Sequence, residues 1–278
     1  MSDRYRFTIL GCGPSPGVPR PNGDWGACDP NNPKNERYRS SLLIERIKPS
    51  EKKTTVVIDT GPDFRSQMIN AHVNHLDAAL YTHSHADHIH GIDDLRSYAL
   101  AQKCLIDIYA DIFTLKHLKS AFGYCFQTPK GSSYSPILKA HLINEDSQFV
   151  IQGQGGAITV NTHLQCHGNI HSLGFRIGNV AYCTDVSKFP EKTLPKLMNL
   201  DVLIIEALQF EKHPSHFSVD QALQWIKYLQ PKQAILTHMD RSLDYNKVVN
   251  YVPPHVKPAY QGLIFETDVQ VSQSNIFC

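Results

Sequence analysis

His83-Ser84-His85-Ala86-Asp87-His88 places three imidazoles and one carboxylate within six residues. Each offers a lone pair to a cation, and hydrophobic packing gives no reason for the set. In an extended or loop segment, His83 and His85 point to the same side and reach one ion. Asp87 and His88, where the chain starts to coil, turn toward a second ion a few Å away, as two-metal hydrolases require. Imidazole suits zinc, and a carboxylate in the set also admits manganese or iron. The plain alternative is a histidine-rich surface loop that binds nothing. The apolar residues just before the run weigh against it, because open α/β sheets bind ligands at the carboxyl ends of their strands.

The elements that must hold this run are legible around it. Residues 77–82 read as a short buried strand and residues 91–96 as the first turns of a helix, so the run is a strand-to-helix loop. Further strands are expected at 7–10, 41–45, 56–59, 107–110, 149–151, 157–163, 173–177, 180–184, 201–206 and 234–236. Helices are expected at 63–73, 112–121 and 218–229. Two sheets packed between layers of helices account for this order, which is an α/β fold. No stretch reads as a linker, a short repeat or a low-complexity tail, so residues 1–278 are expected to form one domain.

Composition narrows the function. With 27 basic and 26 acidic side chains, nothing favours coating a nucleic acid or an anionic membrane. The strand at 7–10 comes too early, with Pro14 and Pro16 behind it, for a signal peptide. No apolar run approaches the ~20 residues of a spanning helix. Seven cysteines scattered singly give no disulfide framework, and a reducing cytoplasm is the expected location.

The H-x-H-x-D-H run resembles the signature of the metallo-β-lactamase superfamily, and the likeness extends to distant residues in the right order. Residues 55–61 hold Asp59 ahead of Gly61, and residues 160–168 carry His167, with His163 and His171 as decoys. Residues 179–185 end in Asp185, and residues 233–238 end in His238. The resemblance implies a four-layer αβ/βα sandwich and two divalent ions per chain, zinc or manganese. It implies that His83, His85 and His167 hold the first ion, that Asp87, His88 and His238 hold the second, and that Asp185 spans them. Asp59 is expected to hydrogen-bond a ligating imidazole rather than touch metal. Its plain alternative is a turn residue before Gly61-Pro62.

Residues 10–19, residues 91–96 and His216-Phe217-Ser218 are similar to the PhnP-type phosphodiesterases, relatives of the tRNA 3′-processing nucleases. Such enzymes open five-membered cyclic phosphates of phosphorylated ribose. The resemblance implies hydrolysis of a small phosphodiester, such as a ribose cyclic phosphate or a nucleotide, by a hydroxide shared between two ions. His216 lies in an H-x-S-x-x-x-A pattern whose Ser218 would cap the next helix. It is expected to bind a phosphate oxygen or protonate the leaving alkoxide, against the alternative of a surface histidine. Asp87, Asp59 and His216 make up the implied catalytic set. In one respect the chain departs from the pattern. Relatives often carry a cysteine-rich zinc cluster after the Gly-Val-Pro element, whereas Cys28 has no second cysteine nearby. No four-ligand structural zinc is therefore expected there, Cys28 should be a buried thiol, and the loop 19–39 should be ordered by packing of Trp25 and the prolines.

Three rivals share parts of this reading. A tRNA 3′-end nuclease would use the same centre, but it relies on a protruding basic arm, and no long Gly- and Lys-rich insertion is seen. A glyoxalase-type thioester hydrolase lacks the His216 element. A non-catalytic scaffold would not need the full ligand set. The expected partner is a small phosphodiester or nucleotide, with no membrane and no stable nucleic-acid complex, and homodimerisation is left open. Arg96 is expected to pair with Asp93 or Asp94 rather than a phosphate. Lys188 is open between an anionic substrate and solvent, and residues 122–126 with Tyr134 are open between an aromatic lid and core.

Overall fold

The computed structural model describes residues 2–269; Met1 and residues 270–278, including Cys278, lie outside the described residues. The first sheet takes β1 (Arg4–Gly11), β2 (Ser41–Ile47), β3 (Lys53–Ile58), β4 (Ala78–Leu80), β5 (Ile106–Ala110) and β6 (Leu138–Leu142). The second takes β7 (Gln148–Ile151), β8 (Ile158–His167), β9 (Ile170–Ile177), β10 (Val180–Cys183), β11 (Val202–Glu206), β12 (Gln233–Thr237) and β13 (Val256–Pro258). β14 (Ile264–Asp268) returns to the first sheet beside β1. The strand orders are β14-β1-β2-β3-β4-β5-β6 and β13-β12-β11-β10-β9-β8-β7. Each sheet is antiparallel on one side and parallel on the other, with β3 to β6 and β10 to β13 running parallel. The helices are α1 (Phe64–Asn70), α2 (Ala86–Ile89), α3 (Leu95–Gln102), α4 (Ile112–Ala121), α5 (Val219–Leu229) and α6 (Tyr245–Tyr251).

Successive strand side chains point to opposite faces, and in the first sheet both faces are dry. Leu42 and Ile44 of β2, with Val56 and Ile58 of β3, enter the core shared with the second sheet. Leu43 and Val57 enter a second core under Phe64, Met68, Leu95 and Leu115 of the outer helices. Burial on both faces is why these strands read as continuous apolar runs. On the far side, Ala222, Ile226 and Leu229 of α5 join the core of the second sheet. Helix, sheet, sheet, helix is the four-layer αβ/βα arrangement.

Several boundaries differ from the sequence reading, each for a local reason. The signature strand is shorter than 77–82, and helix begins at Ala86 rather than Gly91, with His85 at the N-cap position. Asp87 and His88 are thus buried in the first turns of a helix. That turn packs against Gly61, where a Cβ would lie 2.1 Å from the Asp87 carbonyl oxygen, so only glycine fits. β8 runs to His167, four residues past the expected end, because β9 pairs with it to the tip, with Gln165 opposite Ser172 and His167 opposite Ile170. The buried Gln165 amide nitrogen donates to the Ser172 hydroxyl and the Thr184 carbonyl. β6, β13, β14 and α6 had no signal in the sequence. They are short, and only their neighbours make them structure.

The loop 19–39 is also held differently from the expectation. Trp25 is half-exposed, and the organising residue is Arg37, one of the largest fully buried side chains. Its guanidinium donates to the carbonyls of Asp240 (2.8 Å) and Leu243 (2.5 Å), and Asn35 donates to Asp244 (2.7 Å). A cation among carbonyls satisfies polar groups that packing alone would strand. Cys28 is buried, as expected, against the same guanidinium, and burial pushes its thiol up.

Candidate metal centre

Every residue expected to hold an ion sits at a strand end or in the turn just beyond it. His83, His85, Asp87 and His88 follow β4, His167 ends β8, Asp185 follows β10, and His238 follows β12. Asp59, Asp185 and His238 adopt left-handed backbone conformations, with φ of 64°, 53° and 56°. Non-glycine residues accept that conformation at a cost, and it turns their side chains inward.

The seven side chains converge. Nitrogen atoms of His83, His85 and His167 lie within 4.8 Å of one another, as do atoms of His83, His88 and Asp185. Asp185 divides its two oxygens between the sides of the cluster. Its Oδ1 lies 4.0 Å from His83 Nε2 and 3.8 Å from His167 Nε2. Its Oδ2 lies 3.1 Å from His88 Nε2 and 3.4 Å from His238 Nδ1. Asp87 Oδ2 comes within 3.3 Å of His88 Nε2. His83 Nε2 and His88 Nε2 are fully buried and have no hydrogen-bond partner among the described residues. Buried nitrogens without partners, aimed at carboxylates, form a donor set that fits divalent cations.

The electrostatics also seek positive charge. Burial alone would lower the pKa of His88, but the Asp185, Asp87 and Asp59 carboxylates outweigh it and hold the ring well above its ordinary value. Burial likewise works to raise Asp185, yet His238 and His88 hold it well below the usual carboxylate range. A cation and a proton compete for one place in such a cluster.

Asp59 is buried behind the cluster, with its Oδ2 2.6 Å from His88 Nδ1. It also accepts from the Thr82 backbone N–H and hydroxyl, both at 2.9 Å. This holds the His88 ring with Nε2 toward Asp185, an arrangement that would orient it for a cation. The other rings are held too: His167 Nδ1 is 2.8 Å from the Ser215 carbonyl, and His238 Nδ1 is 3.1 Å from the Ser40 hydroxyl. Asp59→Asn is therefore expected to weaken metal binding by the roughly 10- to 100-fold typical of such partners. Competition with a chelator measures this, and unchanged affinity would remove the role.

Residues 54–239 match a family model described as a β-lactamase superfamily domain. A crystal structure described as a new diphosphatase from the PhnP family superposes with a TM-score of 0.85 at 30% identity, covering 98% of this chain and 100% of that one. The chain belongs to the metallo-β-lactamase superfamily, PhnP type. Zn²⁺-bound PqqB from Methylobacterium extorquens superposes with a TM-score of 0.72 at 15% identity, covering 94% of this chain and 99% of that one, a likeness of fold. A protein described as an octanoyltransferase, from Porphyromonas gingivalis, is 31% identical over 260 residues, 93% of this chain but 51% of that protein. The chain thus spans about half the length of this curated relative. No helix among the described residues is long and apolar enough to cross a membrane.

The remaining candidates sort by position. His216 lines the same cleft as His85, His167, Asp185 and His238, in a cavity of about 610 Å³. Its ring stacks on His238 with centroids 5.2 Å apart and lies edge-on to His167 at 4.7 Å. Ser218 caps α5 through a reciprocal capping box with Gln221, so His216 is set just ahead of a well-formed helix. The decoys lie apart: His163 is buried 3.3 Å from the Cys183 sulfur, and His171 is exposed. Arg96 pairs with Asp93 at 2.7 Å, as expected. Lys188 is not among the residues lining the cleft. The aromatic stretch lies elsewhere as well: Phe122 packs on His90 and the outer core, and Tyr134 lines a separate surface pocket.

The sequence reading missed Glu206 and Arg20. Glu206 ends β11, is fully buried, contacts His216 Nδ1 and accepts from the Val186 backbone N–H. Burial, reinforced by the Asp185 charge, pushes its carboxyl well above the ordinary range. A carboxylate closing the apolar strand Val-Leu-Ile-Ile-Glu was the available signal. Arg20 lines the cleft, the one lysine or arginine among its lining residues. Nothing in its local sequence marks it.

Proposed function

We propose that the chain is a dinuclear metal-dependent phosphodiesterase acting on a small phosphodiester such as a ribose cyclic phosphate or a nucleotide. The observation that carries this reading is the His216–Glu206 pair standing beside the acceptor cluster in one cleft. Two divalent ions, zinc or manganese, when bound by His83, His85, Asp87, His88, His167, Asp185 and His238, would lower the pKa of a water and neutralise charge on the phosphoryl oxygens.

The chain's own residues supply the rest. Glu206 holds Nδ1 of His216, which leaves Nε2 for the substrate. A proton at that atom passes to the departing ester oxygen, and the same group steadies charge on the phosphoryl oxygens beforehand. Arg20, lining the same cleft, supplies a cation for the substrate's anion. The PhnP-family diphosphatase likeness supports hydrolysis at phosphorus, and its identity of 30% leaves the substrate open. The octanoyltransferase name belongs to a protein about twice as long, of which this chain matches one half.

The nuclease is the second reading. Few phosphates would be neutralised by a cleft of about 610 Å³ with one arginine, so affinity should fall only mildly with salt, whereas an RNA substrate would show a steep decline. The test compares kcat/KM for a cyclic ribose phosphate, a dinucleotide and a precursor tRNA under one metal condition. Preference for the small diesters is expected. Preference for the precursor tRNA, with accurate 3′ cleavage, would replace this reading with the nuclease.

A further inference from the structure

Between β11 and α5 the chain makes one short loop whose base is tied on both sides. The Leu208 N–H donates to the Phe217 carbonyl, the Val219 N–H donates to the Gln209 carbonyl, and the Phe217 N–H donates to the Val186 carbonyl. Residues 210–216 are therefore held as a unit beside the metal cleft, and three of them line it: His213, Ser215 and His216. Ser215 sets the position of this loop. Its carbonyl faces His167 Nδ1 at 2.8 Å, and the β8–β9 turn packs on it so closely that a Cβ at Gly168 would lie 2.5 Å from its hydroxyl oxygen.

His213 has a place in this arrangement that neither the ligand cluster nor the His216–Glu206 pair uses. The Ser215 N–H donates to its Nδ1 at 3.2 Å, so that nitrogen carries no proton. The neutral ring then bears its proton on Nε2, which is a donor. Among the described residues, His213 joins none of the sets of atoms that could share an ion, whereas His216 stands within reach of His167 and Asp185. The His213 ring lies 4.9 Å from that of His216, tilted by 50°, and is half-buried in the same cleft. The order outward is ligand cluster, His216, His213, each one ring from the last.

We propose that His213 contacts the substrate, donating its Nε2–H to an oxygen of the alcohol beyond the ester oxygen that His216 serves. The inference rests on the phosphodiesterase reading and deepens it. A ring spacing of 4.9 Å corresponds to roughly three to four bonds of a carbon–oxygen frame, which is the step from an ester oxygen of a ribose to its neighbouring oxygens. A donor there reads whether the alcohol that His216 protonates carries a further acceptor. His213 is then a specificity residue that favours esters of polyols over esters of simple alcohols. A half-buried N–H turns to water when no acceptor is offered, so the preference it gives is modest. The competing role is a brace: through Ser215, His213 would only hold the peptide whose carbonyl orients His167.

The test compares two cyclic phosphates of one frame on metal-loaded protein: ribose 2,3-cyclic phosphate and the cyclic phosphate of cis-cyclopentane-1,2-diol, which lacks the sugar's further oxygens. The variant is His213→Asn, whose shorter side chain accepts from a backbone N–H two residues on and so keeps the brace while withdrawing the Nε2 donor. The kcat/KM for the ribose ester is expected to fall roughly five- to tenfold, about the worth of one hydrogen bond, while the carbocyclic ester stays within about twofold and metal content is unchanged. His216→Ala should instead lower both esters alike. Equal losses on the two esters, loss of metal, or an undiminished rate on the ribose ester in His213→Asn assigns His213 to the brace or to solvent and overturns the proposal. If the unaltered protein turns over neither ester, calorimetry with the ring-opened products decides for His213; if it turns over no dinucleotide either, the phosphodiesterase reading falls separately. Ribose 2-phosphate should bind roughly fivefold more tightly than 2-hydroxycyclopentyl phosphate, a margin that His213→Asn erases. Equal affinities, or no binding of either, overturn the proposal.

Discussion

Replacement of Asp185 by alanine is expected to leave at most one ion per chain and to remove nearly all phosphodiester turnover. The reason is the division of its carboxylate, Oδ1 toward His83 and His167 and Oδ2 toward His88 and His238. The loss should exceed the roughly 10²- to 10⁴-fold of a missing general acid, because it removes the activated water and the charge stabilisation together. Asp185 adopts a φ of 53°, so alanine also adds backbone strain. Asparagine tolerates that conformation and keeps the shape, so Asp185→Asn separates strain from charge. Elemental analysis alongside steady-state kinetics checks the expectation. Two ions retained by the alanine variant, or at most one substoichiometric ion in the unaltered protein, would remove the bridged dinuclear reading.

His216→Ala is expected to leave both ions bound and yet lower turnover by roughly 10²- to 10⁴-fold for a diester with an alkoxide leaving group. With p-nitrophenolate, which departs without a proton, the loss should be much smaller. That contrast separates a proton donor from a group that only holds the phosphate. An atom of His216 also lies within 4.8 Å of atoms of His167 and Asp185, so a variant that lost an ion would make His216 a ligand instead. Unchanged turnover of the alkoxide ester would sink the assigned role. Glu206→Gln should reproduce the leaving-group dependence in weaker form, because Glu206 reaches the substrate only through the ring it holds.

The sequence by itself determined which side chains gather at the centre and the alternating order of elements around it. Metal-seeking side chains at strand ends are local facts: His83 to His88 are contiguous, and Asp59, Asp185 and His238 each close an apolar strand. A strand buried on both faces writes a run of apolar residues that periodicity can read, as at Val56 and Val57. The helix Ile112–Ala121 was legible to the residue because its apolar face and capping Asp111 are adjacent in sequence.

Only the tertiary structure decided the features that depend on contact between distant segments. Glu206 became His216's partner because β11 ends beside the turn leading to α5, though ten residues separate them in the chain. Arg37 became the organiser of the loop 19–39 because the carbonyls of residues 240–243 arrive opposite it, some 200 residues later. His163 and His167 share one face of β8, and position along the strand separates them. His163 turns into the sheet against Gly174, where a Cβ would lie 2.0 Å from its ring, while His167 at the hairpin tip turns to the cleft. An apolar groove joins α4, β6 and the β8–β9 turn, elements that no local pattern connects. Local propensity reports which face of an element is dry; which two faces meet is set by packing, and there the sequence carries no local mark.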